Sequence, residues 1–202
     1  MNENKTNINW LKTASQDRKK DWRNDLNLKL REININDKEE IINFCKEVKS
    51  FDTENMFEGL SNIKNVDNCD FEEFLHKLEK AKNIKDIKPH LVNQTTFILF
   101  DDNNRALGGV KVRHDLNDNL LNHGGNIGVL IRPTERRKGY ATKIISLVLE
   151  KCKELGIDKV LITCREDNIG SRKAIESNGG IYENSYFDEN NNYTYRRYWI
   201  NL

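Results

Sequence analysis

The chain has 202 residues, with 33 Lys plus Arg against 32 Asp plus Glu and a net charge of +1. That balance, without a basic stripe, excludes a general nucleic-acid binder, and no apolar run approaches the roughly 20 residues that a membrane span needs. The length suits a single domain, since about 150 residues already bury roughly 70% of their unfolded surface.

In chain order, residues 1–27 are charged and poor in aliphatics, an N-terminal extension that a tail or a short docked helix around Trp10 and Trp22 fits equally. Residues 28–202 are expected to form the main domain. The alternation LKLREI over 28–33 predicts a first strand. Asp37 with Glu40 fits a capping box, followed by Ile41, Ile42, Cys45 and Val48 at helical spacing. A polar loop covers 50–68. Asp70 with Glu73 repeats the start signal, and Phe71, Phe74, Leu75, Leu78 and Ala81 make the apolar face of a second helix. Residues 95–100 and 106–112 flank turn chemistry at 101–104 and read as a hairpin. A polar loop follows over 114–124, then a buried strand over 127–131 that stops at Pro133. The clearest helix runs over 139–155 and closes at Gly156. A β-branched strand at 159–164, a helix capped by Asn168 and two final strands near 181–187 and 193–200 complete the pattern. The order β-α-α-β-β-β-α-β-α-β-β predicts an α/β (α+β) domain with a mixed central sheet flanked by helices.

Cys45, Cys69, Cys152 and Cys164 form no CxxC pair, and the four histidines are not spaced as metal partners. No metal site and no disulfide framework is expected. Met1 to Trp10 is rich in Asn and has no apolar core of a signal peptide, so the expected compartment is the cytoplasm.

The informative segment is Val129-Leu130-Ile131-Arg132-Pro133-Thr134-Glu135-Arg136-Arg137-Lys138-Gly139-Tyr140-Ala141-Thr142. A strand ends at a proline, a basic turn follows and a glycine opens a long helix. The first amides of a helix have no internal partners and sit at the positive end of its dipole, so the terminus is suited to an anion. Gly139 and Ala141 let a phosphate approach the backbone, and Arg136, Arg137 and Lys138 add positive charge. A polyanion such as a pyrophosphate is implied. ATP and NAD fit poorly. Lys138 precedes the glycine rather than following it as in GxxxxGK[ST], and Gly124, Gly125 and Gly128 lack the GxGxxG spacing.

Arg136-Arg137-Lys138-Gly139-Tyr140-Ala141 resembles the [QR]-x-x-G-x-[GA] signature of the GNAT superfamily of N-acetyltransferases, with Ile131-Arg132-Pro133 matching its V-x-P lead-in. Asn168-Ile169-Gly170-Ser171 resembles the family's second motif. The resemblance covers roughly 28–202 in the right element order, and the segments Arg113-His114-Asp115-Leu116-Asn117 and Arg197-Tyr198-Trp199-Ile200 are similar to a subgroup of predicted bacterial acetyltransferases. It implies acetyl-CoA as cosubstrate and no metal. The backbone of Val129, Leu130 and Ile131 would pair with the pantetheine arm. The amides of Arg137, Lys138, Gly139, Tyr140, Ala141 and Thr142, with the Arg136 side chain, would hold the pyrophosphate. Asn168 and Ser171 would complete the cofactor contacts. One strand amide would stabilise the thioester oxyanion.

Two family side chains are missing. The position of the tyrosine that protonates the leaving thiolate holds Ile175, and that of a strand glutamate base holds Thr163. His114 is the candidate base, because its imidazole titrates in the useful range; a hydrogen-bonded loop histidine is the competing reading. His123 is a weaker candidate, expected to be solvated. Tyr186 and Tyr198 are read as packing residues, Cys164 as a small buried residue, and Glu135 as moderating the basic turn. The acceptor site is expected from 50–68, the second helix and the 114–124 loop. The resulting expectation is an N-acetyltransferase acting on a primary amine of a small molecule, with the protein N-terminus as a second acceptor class. The alternative is a catalytically silent acyl-CoA-binding module, which Ile175 and Thr163 favour. Family members are often dimers, so a homodimer stays open.

Overall fold

The computed structural model describes residues 27–51, 58–84 and 91–202. The expected extension at 1–27 therefore lies, but for its last residue, outside the described residues, as does the 52–57 stretch of the acceptor loop.

The elements are β1 (Lys29–Arg31), α1 (Lys38–Phe51), α2 (Phe71–Lys82), β2 (Gln94–Phe100), β3 (Ala106–Arg113), a one-turn α3 (Asp118–Asn122), β4 (Ile127–Ile131), α4 (Tyr140–Glu154), β5 (Lys159–Arg165), α5 (Ile169–Glu176), β6 (Ile181–Asp188) and β7 (Tyr193–Asn201). The central sheet resolves into two antiparallel sheets, one of order β1-β2-β3-β4 and one of order β5-β7-β6. A strand buried on both faces feeds two cores. In β2, Phe97 and Leu99 join the core under α4 and α5, while Ile98 and Phe100 join the core under α1 and α2. α4 owes its place to the spacing of Ile144, Ile145, Val148 and Cys152, all buried. Each such aliphatic side chain contributes about 1.5–3 kcal/mol by leaving water.

Two expectations change. The helix start at 37–40 is built differently: Asn34 is the cap, its side chain accepting from Asn36 N, and Asp37 closes the box onto the Asn34 amide at 2.8 Å. Asp37 also holds Arg31 in a two-pronged ion pair at 2.7 and 2.8 Å, so its buried carboxylate is not available to start α1. Burial raises its pKa, but the Arg31 and Asn34 hydrogen bonds win and the net shift is downward. Within the loop read over 114–124, Asn117 caps the short α3 by accepting from Leu120 N at 3.1 Å. One turn is too short to show helical periodicity.

The two sheets are joined by Asn126. Its amide donates to Leu161 O at 2.7 Å, its Oδ1 accepts from Leu161 N at 2.8 Å, and its Nδ2 donates to Arg113 O at 3.1 Å. The neighbouring Gly125 has φ +59°, and a Cβ there would sit 2.4 Å from Leu161 O, so only glycine lets the chain pass this close.

Candidate functional site

β4 pairs with β3 along one edge. Its other edge meets β5 at the Asn126–Leu161 link, and among the described residues no ladder joins the two strands beyond it. The β4 edge carrying Val129, Leu130 and Ile131 is thus open on the side of β5. Leu130 is buried, and Val129 and Ile131 are half-buried.

The chain leaves β4 through a 3-10 turn, Pro133–Glu135, and reaches α4 through two left-handed residues, Arg137 at φ +63° and Gly139 at φ +87°. Gly139 is the N-cap of α4, and no side chain caps the helix. Gly139 has no side chain to cap the first turn, and the first helical bond is Lys143 N to Gly139 O. Left-handed turns next to a helix start turn successive amides to one side and make an anion-binding concavity. Arg137, a non-glycine residue, accepts this strained conformation as functional turns often do. Glu135 takes Lys138 at 2.9 Å and Arg105 at 3.2 Å. Burial raises its pKa, but these two cations win and hold it below the usual carboxylate range. Arg136 and Arg137 remain exposed at the mouth of the turn.

The turn is anchored by Arg132, whose side chain is 4% exposed. It donates to Glu47 Oε2 at 2.6 Å, to Glu40 Oε1 and to Ala106 O at 2.9 Å. Glu47 accepts in turn from Thr134 N and Oγ1, and Glu40 from Ala106 N at 2.7 Å. The network ties α1 to β3 and to the start of the turn.

Asn168 caps α5, with Oδ1 accepting from Ser171 N at 3.0 Å. Ile175 is fully buried in the core under α4. Thr163 Oγ1 accepts from Gly124 N at 2.9 Å. Cys164 is buried, and burial pushes its thiol up to about 11, so it is no nucleophile near neutral pH. Tyr198 is buried, its hydroxyl donating to Glu176 at 3.3 Å, and Tyr186 lies at the rim.

His114 and His123 lie apart from the turn. His114 follows β3, where Val112 pairs with Ile127 at the start of β4. The five residues of β4, roughly 17 Å of strand, separate that end from the 136–142 turn. Its Nε2 is 2.9 Å from Thr95 Oγ1, and burial lowers its pKa against the opposing pull of Asp115. His123 is not solvated as expected. It is half-buried, stacked on Tyr195 and Tyr186 with centroids 5.5 and 6.3 Å away, and its Nδ1 is buried without a partner. The turn into β4 draws it inward as Gly124 bonds to Thr163.

Sequence reasoning overlooked Asn126, Arg132 and Lys111. Lys111 is 5% exposed on β3, and burial, aided by Arg113, pushes its pKa from 10.5 down to about 8. The available signal was a lysine inside the otherwise apolar run ALGGVKV. A folded pKa below the unfolded one makes the ammonium a cost at every pH below about 8, and that cost fades as pH rises to 10.5. Lys111→Met is therefore expected to raise stability by about 3 kcal/mol at pH 7, at about 1.36 kcal/mol per pKa unit. The gain should shrink toward pH 10.5 in urea melts across that range.

A family model described as an acetyltransferase (GNAT) domain matches residues 27–181. The chain belongs to the GNAT acetyltransferase family. It is an acyltransferase with acetyl-CoA as donor and an amine as acceptor. No curated protein sequence matches the chain. Similar solved structures include the spermidine N-acetyltransferase from Vibrio cholerae in complex with CoA and spermine, with TM-score 0.57, 17% identity, and coverage of 86% of this chain and 95% of that one. A GNAT-family acetyltransferase from Bacillus anthracis has TM-score 0.58, 17% identity, and coverage of 86% and 94%. Among the described residues no His, Cys, Asp and Glu group is arranged to hold a metal, and no helix is long and apolar enough to cross a membrane.

Proposed function

We propose that this GNAT transferase acetylates a primary amine of a small molecule, the amine attacking the acetyl thioester directly. The observation that carries the reading is the α4 start, where an N-terminus without a side-chain cap and left-handed Arg137 and Gly139 lie next to the open edge of β4. The amides of Arg137, Lys138, Gly139, Tyr140, Ala141 and Thr142 hold the pyrophosphate, with Arg136 beside them. Val129, Leu130 and Ile131 pair with the pantetheine arm. Asn168 Oδ1 is committed to the Ser171 amide, so Asn168 offers its Nδ2 to the cofactor and Ser171 its hydroxyl.

The amine nitrogen bonds to the acetyl carbon, the C–S bond breaks, and the amine's proton must leave. Freeing an alkyl amine with pKa near 10.4 at pH 7 costs about 4–5 kcal/mol, while a thiolate with pKa near 8.5 leaves unassisted. Thr163 and Ile175 supply no base or acid, which leaves His114, on the β3 face of Thr95 and Val112, as the candidate base to be tested. Its lowered pKa keeps it neutral and proton-accepting at pH 7. His114→Gln should lower kcat/KM by about 100-fold or more. In the wild type the rate should rise with pH through an apparent pKa below 6.5, a limb absent from the variant. An unchanged rate and profile would remove His114 from the mechanism.

The buried Ile175 and the committed Thr163 hydroxyl favour one other reading, a module that binds acyl-CoA without turnover. Thiol release from acetyl-CoA over a panel of amines separates the two. Turnover with any amine establishes the transferase, and binding without turnover establishes the module. The likeness to the Vibrio cholerae spermidine N-acetyltransferase supports a small amine as the first acceptor class to test.

A further inference from the structure

The acceptor must approach the open edge of β4 from one side. The α4 and α5 side is filled by packed core from both sheets, including Val110, Val112, Ile162 and Ile175. The opposite face is built by alternate residues: Lys111 and Arg113 on β3, Gly128 on β4, Leu161 and Thr163 on β5, and Arg197 and Trp199 on β7. Among the described residues, two buried donor atoms of this face, Arg197 Nε and Trp199 Nε1, lack acceptors. Lys111 lies opposite Gly128, which presents no side chain to it. Its ammonium donates to Ser61 Oγ at 2.9 Å and meets no carboxylate among the described residues. The charge that acts on it is Arg113, of the same sign, which spends itself on the Gly124 and Gly125 carbonyls at 3.0 Å each. Arg132, the other deeply buried cation, holds two glutamates. On β7, Arg197 Nε and Trp199 Nε1 are buried without partners among the described residues, although the Arg197 guanidinium reaches Glu183 at 3.1 Å.

An unpaired buried ammonium is costly unless an anion completes it. Resting on the acetyltransferase reading, we propose that the acceptor carries a carboxylate as well as its amine, and that Lys111 receives that carboxylate. The acceptor is of the amino-acid type. A polycation would meet Lys111 and Arg113 with like charge, so spermidine is a poor fit for this chain.

Each amino acid is tested against its α-amide, with cadaverine, putrescine and spermidine alongside, by thiol release from acetyl-CoA. The best acceptor should be an acid, preferred over its amide by about 30-fold, as expected for a hydrogen bond to a charged group. Lys111→Met should erase that preference. The variant removes a buried charge and should fold at least as well as the wild type. An amide, diamine or polyamine as best acceptor overturns the proposal, and so does an acid preference that survives in Lys111→Met. If acetyl-CoA binds but no amine of any kind turns over, the transferase reading itself fails, an outcome distinct from turnover with the wrong acceptors.

Discussion

Gly139→Glu should raise the dissociation constant for acetyl-CoA at least 100-fold while the protein keeps its fold. Gly139 sits at φ +87° at the head of a helix that no side chain caps. Any L side chain there costs roughly 1–2 kcal/mol in backbone strain. A carboxylate adds negative charge where the amides and dipole receive the pyrophosphate. Together the displaced turn and the charge repulsion carry the loss, a 100-fold change being roughly 2.7 kcal/mol. Gly139→Ala carries the strain alone and should lose about 10-fold. Calorimetric titration of both variants, with circular dichroism as the control for folding, reads the result. Wild-type affinity in Gly139→Glu would mean that the cofactor does not use this turn.

Arg132→Ala should lower stability by about 3–5 kcal/mol, the usual result of removing one partner of a buried ion pair. The guanidinium is 4% exposed and serves two glutamates and a carbonyl, so its loss leaves three acceptors without their donor. A fall in the urea midpoint with an unchanged slope is the expected signature. Adding Glu40→Gln and Glu47→Gln should recover part of the loss, because no unpaired carboxylate is then left half-buried. Acetyl-CoA binding should also weaken in Arg132→Ala, since Glu47 holds Thr134 at the start of the turn. A loss below about 1 kcal/mol would show that the network is too solvated to matter.

The parts legible in the sequence were those written in short-range chemistry. α4 announces itself by Ile144, Ile145, Val148 and Cys152 at helical spacing between two glycines, and the model places it at Tyr140–Glu154. β4 was read at its observed bounds, because its apolar run stops at a proline. Asn168 was read as a cap from its place before a helical pattern, and it caps α5. Long-range groups were illegible. Arg132 reads as one more charge in a basic turn, and its glutamates lie 85 and 92 residues away. Lys111 stands in an apolar strand, yet only the fold shows that it faces Gly128 and meets no carboxylate among the described residues. His123 was misread because solvation was inferred from a polar neighbourhood, whereas the turn at Gly124 and Gly125 packs its ring on Tyr195. The start of α1 was misread because Asn34 and Asp37 outcompete the Asp37 and Glu40 pattern, with Arg31 fixing Asp37 from outside the helix.

The most direct test of the central claim is an amide-resolved NMR titration of the protein with CoA. Saturable shifts concentrated on the amides of residues 137–142 and on the 129–131 stretch of β4 are expected. Saturable binding with its shifts elsewhere, or no binding by the folded protein, would contradict the claim.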